Sequence, residues 1–125
     1  MAREYKRLIV WQRSMDLAVD IYKITAMFPE HEKYGMKSQI NRSCVSVACN
    51  IAEGAGRNSY KEFSHFLSIA RGSSNELETL LILASRIGYI DEKMVDNLQD
   101  KTDEVQRMLS NLKKSNDLLN NVSKT

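Results

Sequence analysis

The segment Gln39–Asn58 reads QINRSCVSVACNIAEGAGRN, and it decides how this chain folds. Small side chains recur along it and would let a neighbouring helix approach closely. They are Cys44, Ser46, Val47, Ala48, Ala52 and Gly54. Asn50 and Glu53 are three residues apart, so they share one face of the predicted helix. The segment therefore predicts a helix with one close-packing face and one polar face.

Polar groups concentrate at the end of this helix. Gly54 and Gly56 predict its termination, at positions where a positive φ costs glycine little, and Arg57 follows at once. We predict a buried polar network that fixes how a helical bundle closes. Its members would be Gln39, Ser46, Asn50, Glu53, Arg57, Glu76 and Glu78. Each group must then be paired, because an unpaired buried charge costs several kcal/mol.

The composition is that of one ordinary globular domain. The chain has 125 residues, 42% hydrophobic and 27% charged, and we interpret residues 1–125 as a single domain with a moderate core. The longest apolar runs, such as Leu80–Ala84, fall far short of the roughly 20 residues of a membrane span. The basic N-terminus also lacks the apolar stretch of a signal peptide. We therefore expect a cytoplasmic protein with no membrane partner.

The chain offers little for metal or cofactor chemistry. Cys44 and Cys49 lie about 140° apart around one helix, so they cannot bridge each other, and we interpret both as buried small apolar residues. His31 and His65 are far from them in sequence, and the Glu62–His65 pair has no second copy to complete a di-metal centre. We expect no metal, no cofactor, no small-molecule substrate and no enzyme activity.

Apolar periodicity predicts four amphipathic helices. They span about residues 8–28, 34–53, 59–87 and 92–120, and the third is the longest. Together they predict an all-α fold of four packed helices. Pro29 should stop the first helix, Gly88 the third, and Asp91 should cap the fourth.

The first and third helices carry two further signals. Their apolar stripes are wider than a single core requires, which predicts self-association. In the third helix, Asn58 or Ser59 should cap the start, with Glu62 placed for a capping box. The run Arg71–Asn75 is a poor helix former, so it either kinks the helix or lets a neighbour pass close with hydrogen bonding.

The formal net charge is only +2, without the concentrated basic stripe of a dedicated nucleic-acid binder. Lys6, Arg7 and Arg13 nevertheless lie near the N-terminus and could contact phosphates. Tyr5 and Trp11 beside them could stack on bases. The other interpretation is a core tryptophan flanked by solvated basic residues.

Four stretches taken together resemble one known family. They are VWQRSMDLAVDIY, FPEHEKYGMKSQINRS, NIAEGAGR and FSHFLSIARGSSNELETLLILASRIGY. The combination resembles the 23S rRNA-intervening sequence proteins, small four-helix bundles encoded within some bacterial ribosomal RNA genes and elsewhere as free-standing genes. The family's NIAEG-x-GR signature falls on residues 50–57, and its GS-x-x-E-x-ET segment on residues 72–79.

The resemblance implies an all-α, up-down-up-down four-helix bundle that assembles into a barrel-like homopentamer. A related branch resembles the accessory variability determinants of diversity-generating retroelements, strongly basic barrels that bind a reverse transcriptase and nucleic acid; this chain is nearly neutral by comparison. The four-helix pattern and the family resemblance together predict a non-enzymatic oligomer that acts as a scaffold or binds RNA or a nucleoprotein. Two alternatives stay open: a purely structural subunit of a larger complex, and an enzyme with an inter-subunit cleft at Glu53 and Arg57.

Overall fold

The computed structural model describes residues 4–123, and these form four α-helices and two short 3-10 turns. The helices are α1 (Ile9–Thr25), α2 (Met36–Ala55), α3 (Tyr60–Ile87) and α4 (Glu92–Ser123). One 3-10 turn, Glu4–Arg7, precedes α1, and the other, Glu30–Glu32, lies between α1 and α2. The prediction of an all-α chain with four helices is confirmed, although α4, with 32 residues, is longer than α3, with 28.

Helices that follow each other in the chain pack side by side, and α4 closes the bundle against α1. The contacts between α3 and α4 show their direction: Ser64 hydrogen-bonds Asp117, and further along α3 Asn75 contacts Gln106. α3 and α4 are therefore antiparallel. The four helices thus run alternately up and down, as short connections require.

One continuous core lies between the helices, and every helix contributes large side chains to it. Those with almost no exposed surface include Ile21, Ile40, Ile51, Leu67, Leu77, Leu81, Leu98 and Leu109. On α1, the stripe that contains Leu17 and Ile21 faces this core, whereas Met15 and Tyr22 of the neighbouring stripe are exposed. The excess apolar width of α1 therefore lies on the surface.

Capping residues begin and end α3 and begin α4 at the positions that the sequence predicts. The Ser59 hydroxyl accepts a hydrogen bond from the Glu62 backbone N–H at 3.0 Å, and Asp91 Oδ1 accepts from Met94 N–H at 2.8 Å. Gly88 ends α3 with a φ of 97°, in the left-handed region that glycine enters cheaply. α1 ends at Thr25, earlier than predicted, because i→i−3 hydrogen bonds tighten the chain before Pro29.

The expected backbone role of the glycines at the end of α2 is wrong. Gly56 has a φ of −80°, and within residues 4–123 only Gly88 has a positive φ. α2 instead runs to Ala55, and Gly54 is buried inside it against α3. Gly54 is therefore needed for the close approach of two helices rather than for a turn.

None of the helices in residues 4–123 combines the length and apolar composition that crossing a membrane would require.

Candidate interaction surface

Part of the predicted polar network connects α2 to α3. The Asn50 side-chain amide donates to the Ser46 carbonyl at 2.8 Å and to the Ser46 hydroxyl at 3.0 Å. The Ser46 hydroxyl in turn hydrogen-bonds the Ser73 hydroxyl of α3 at 2.8 Å. α3 is continuous through Arg71–Asn75, so this run provides a close, hydrogen-bonded contact and no break in the helix.

Glu53 and Arg57 form an ion pair at the end of α2. Arg57 Nη2 lies 2.6 Å from Glu53 Oε1, and Nη1 lies 3.6 Å from Glu62 Oε1. The guanidinium also lies 5.0 Å from the centre of the Phe66 ring. The Glu53 and Arg57 side chains remain 54% and 43% exposed, so within one chain this pair is open to water and not buried as expected.

The remaining members of the predicted network lie apart. Gln39 and Glu76 are exposed, and Glu78 is half-buried. Glu78 contributes its backbone carbonyl, which accepts from Gln99 Nε2 of α4 at 3.3 Å. Glu76 and Glu78 are two residues apart, so they point to different sides of α3. The seven residues therefore do not form one connected network within the chain, and their burial in an assembly stays a prediction.

The basic residues near the N-terminus are not one patch. Lys6 and Arg7 are exposed in the first 3-10 turn, whereas Arg13 Nε is 3.0 Å from Glu104 Oε1 of α4. Trp11 packs against the hydrophobic core and meets the edge of Tyr5, with 5.3 Å between ring centres. The geometry favours the core interpretation of Trp11, and a nucleic-acid contact at this end stays a prediction.

Sequence reasoning missed a cluster at the opposite end of the bundle. The Tyr89 hydroxyl donates to Glu32 Oε2 at 2.8 Å, while Glu32 Oε1 accepts from Met36 N–H at 3.1 Å. The hydrogen bond from Met36 N–H, and after it the one from Tyr89, holds the pKa of Glu32 below its ordinary value. The hydrogen bond to Glu32 raises the pKa of Tyr89. His31 Nε2 lies 3.2 Å from the Tyr89 oxygen. The cluster joins the α1–α2 connection to the α3–α4 connection. Because these are far apart in sequence, no local sequence pattern predicts it.

Six of the exposed apolar side chains fall into two stripes, while others lie outside them, among them Ile9, Met27, Val45, Tyr60 and Ile82. The α1 stripe is Met15, Val19 and Tyr22, and the α3 stripe is Ile69, Leu83 and Ile87; each of these is between 38% and 52% exposed. At 100° per residue, the members of each stripe fall within about 60° of one another. Both stripes lie on the flank of their helix that is nearer to α2 than to α4.

The outer side of α4 is different. From Glu92 to Lys114, α4 has no large apolar residue that is exposed; such residues appear only in its last turns, as Leu118, Leu119 and Val122. The bundle is therefore two-sided, with apolar surface around α2 and polar surface along α4. This arrangement is typical of a protein that associates through one side.

Comparison with known proteins gives the family. Residues 6–111 match the family model of the 23S rRNA-intervening sequence protein. The chain belongs to this family. It is also similar to a solved structure, a protein of unknown function from the S23 ribosomal protein family of Bacteroides thetaiotaomicron, with 30% identity and a TM-score of 0.76 over 84% of this chain and 98% of that one. No curated protein sequence matches.

The signatures of the 23S rRNA-intervening sequence proteins have direct physical roles here. In the segment at residues 50–57, Asn50 bonds to Ser46, Gly54 allows α3 to approach, and Arg57 pairs with Glu53. In the segment at residues 72–79, Ser73 supplies the hydroxyl that meets Ser46. The two signatures are therefore linked across the α2–α3 interface through Ser46, which lies in neither of them.

Proposed function

We propose that this chain is a non-enzymatic subunit of a homo-oligomer, and that the α1 and α3 stripes are where copies meet. Scattered exposed apolar residues are normal in monomers. Here the six residues of the α1 and α3 stripes follow helical spacing, and the outer side of α4 has no large exposed apolar residue up to its last turns. Full burial of an exposed apolar side chain contributes about 1.5–3 kcal/mol; the six are already about half buried in the chain, so covering them adds roughly half of that for each, which favours association.

The two stripes differ in sequence and lie on different helices. Copies that join the α1 stripe of one to the α3 stripe of the next make a heterologous contact, and such contacts give a ring when the rotation between copies closes and an open filament when it does not. The homopentamer that the family resemblance implies is a ring of this kind. In it, α2 and the Glu53–Arg57 pair would lie between the two interfaces.

Two charge insertions test this assembly. Met15→Glu and Leu83→Glu each place a carboxylate in one stripe without touching the core, so both should reduce the mass measured by light scattering while circular dichroism stays helical. Leu118→Glu is the matched control, because Leu118 is 66% exposed and lies opposite the buried face of α4. A monomeric wild type, or an unchanged mass in both stripe variants, would contradict the proposal.

Mixing the two variants tests the heterologous contact itself. A Met15→Glu subunit keeps its α3 stripe, and a Leu83→Glu subunit keeps its α1 stripe. Together they can form one intact interface, so the mixture should give a dimer and no larger ring. If each stripe paired with its own copy, Leu83→Glu alone would dimerise through α1, and mixing would change nothing.

We also propose RNA or a nucleoprotein as the partner of the assembly. The observation that favours it is a run of uncompensated positive charge, since residues 33–52 contain Lys33, Lys37 and Arg42 and no Asp or Glu. Binding to RNA should weaken steeply with salt as counterions are released. A purely structural subunit would bind no RNA and would instead co-purify with a protein complex from its host.

The enzymatic alternative has no support. Glu53 and Arg57 satisfy each other at the surface of the chain, and the solved relative is itself a protein of unknown function.

A further inference from the structure

A groove of about 410 Å³ lies between the second half of α1 and the first half of α2. Lys33, Lys37 and Arg42 line it together with two tyrosines, Tyr22 and Tyr34, and no carboxylate does. It lies at the end of the bundle opposite Lys6 and Arg7. The groove therefore combines positive charge with aromatic surface at a place the N-terminal basic residues do not reach.

The three cations of the groove are not neutralised within residues 4–123. The ion pairs in that part of the chain are Arg13–Glu104, Arg57 with Glu53 and Glu62, Lys101–Asp20 and Lys113–Asp117. The acids nearest along the chain are Glu30 and Glu32, and both carboxylate oxygens of Glu32 are already bound by Met36 and Tyr89. The groove thus attracts an anion that the chain itself does not supply.

Tyr34 adds a second kind of recognition. Tyr34 is 88% exposed, so its ring contributes little to the core, and Lys33 Nζ lies 5.5 Å from the ring centre. Tyr22 lies on the other wall, but it belongs to the α1 stripe, so in the proposed assembly a neighbouring copy covers it and Tyr34 is the free ring. An aromatic face beside several cations suits a ligand that carries both phosphates and flat bases, since bases stack on such rings at about 1–3 kcal/mol each.

We propose that this groove binds single-stranded nucleic acid. Lys33, Lys37 and Arg42 contact successive phosphates, and Tyr34, which lies outside both apolar stripes, stacks on a base between them. A chain of acidic residues would satisfy the cations but would leave the Tyr34 ring without a stacking partner. The inference deepens the RNA-binding part of the proposed function, rests on it, and gives it a location.

Fluorescence anisotropy with a labelled single-stranded RNA of mixed sequence tests the groove in the assembled protein. Lys37→Glu and Arg42→Glu should each weaken binding about tenfold or more. Arg107→Glu and Lys114→Glu, which make the same charge changes at exposed sites of α4, should have little effect. For three phosphate contacts, a plot of the logarithm of wild-type affinity against the logarithm of salt concentration should have a slope of about −2. Each groove variant loses one contact, so the magnitude of its slope should be smaller by about 0.7.

A second pair of variants tests stacking. Tyr34→Ala should weaken RNA binding about fivefold or more, and Tyr34→Phe, which keeps the ring, should restore it. Inorganic polyphosphate has charge without bases, so it should compete poorly with RNA. The same measurements with single-stranded DNA show whether the 2′-hydroxyl adds affinity; comparable DNA binding also supports the proposal.

The outcomes separate the groove from the general function. If the wild type binds no single-stranded RNA or DNA at low salt, both the groove and the RNA-binding function are overturned. If it binds but the groove variants match the Arg107 and Lys114 controls, only the groove is overturned. If polyphosphate competes as well as RNA and Tyr34→Ala has no effect, the groove is a general anion site and its assignment to nucleic acid is overturned.

Discussion

Gly54 of α2 lies directly against Phe66 of α3: a Cβ built on Gly54 would come 2.6 Å from Phe66 Cβ and 3.0 Å from the Phe63 ring. A distal ring atom could rotate away, but Phe66 Cβ is attached to the α3 backbone. Any side chain at Gly54 therefore requires the two helices to separate. This contact adjoins the Glu53–Arg57 pair and the Ser46–Ser73 bond, so the α2–α3 interface has little freedom here.

We expect Gly54→Ala to destabilise the fold by about 1–3 kcal/mol, the usual cost of overpacking a tight contact. Gly72→Ala is the matched control, since it makes the same change in the interior of α3 where a Cβ would meet nothing within 4 Å. Alanine there should raise stability by about 0.5–1 kcal/mol through helix propensity. Urea unfolding of both variants measures the difference, and equal midpoints would contradict the packing argument.

Two neighbouring serines of α3 should respond in opposite ways to alanine. Ser73 is bonded to Ser46, so Ser73→Ala should cost about 0.5–1.5 kcal/mol. Ser74 is buried, and its hydroxyl has no hydrogen-bond partner in the part of the chain that the structure describes. Ser74→Ala should therefore leave stability unchanged or raise it. Urea unfolding distinguishes the two, and a larger loss for Ser74→Ala would show that its hydroxyl is satisfied in solution.

Signals that act within one turn of chain were predictable from the sequence. Ser59, Gly88 and Asp91 end or begin helices because a cap depends on a few neighbouring residues. The buried seam of α4 was also predictable, since Leu98, Val105 and similar positions repeat at three-four spacing. These local patterns were enough to give four helices, whereas their up-and-down arrangement was implied by the family resemblance.

The burial of individual side chains and the contacts between residues distant in sequence were not predictable. The spacing of Glu53 and Arg57 predicts their pairing, but no pattern states whether a pair is covered. α1 has two apolar stripes, and periodicity alone does not say which one faces the core. The contact between Glu32 and Tyr89 joins residues 57 positions apart, in two connections that meet only after folding.

The two cysteines should differ in reactivity, contrary to the expectation that both are buried. Cys44 is buried and Cys49 is exposed, and burial raises the pKa of the Cys44 thiol to about 11. Since the thiolate is the reactive form, Cys44 is protonated at neutral pH as well as covered. Brief treatment of the folded protein with iodoacetamide should therefore modify Cys49 and spare Cys44. Peptide mass spectrometry measures this, with labelling in urea as the control in which both react.

Loss of the Tyr89 hydroxyl should change how stability depends on pH. Hydrogen bonds from Met36 N–H and then from Tyr89 lower the pKa of Glu32 from its ordinary 4.5. A carboxylate with a lowered folded pKa stabilises the fold above its unfolded pKa, and this stabilisation is lost as the pH falls through the folded pKa. Tyr89→Phe removes one of the two donors, so it should lower the melting temperature at neutral pH, and the difference from wild type should shrink below pH 4.5.

Tyr60→Phe provides the control for this experiment, because the Tyr60 hydroxyl makes no hydrogen bond within residues 4–123, although its backbone carbonyl accepts from Asn116. Its melting temperature should follow that of the wild type at every pH. NMR titration of the Glu32 carboxyl carbon gives the direct measurement, and its pKa should rise in Tyr89→Phe and stay unchanged in Tyr60→Phe. A deficit in Tyr89→Phe that stays constant down to low pH would assign the loss to packing of the ring against Phe28, and not to the hydrogen bond with Glu32.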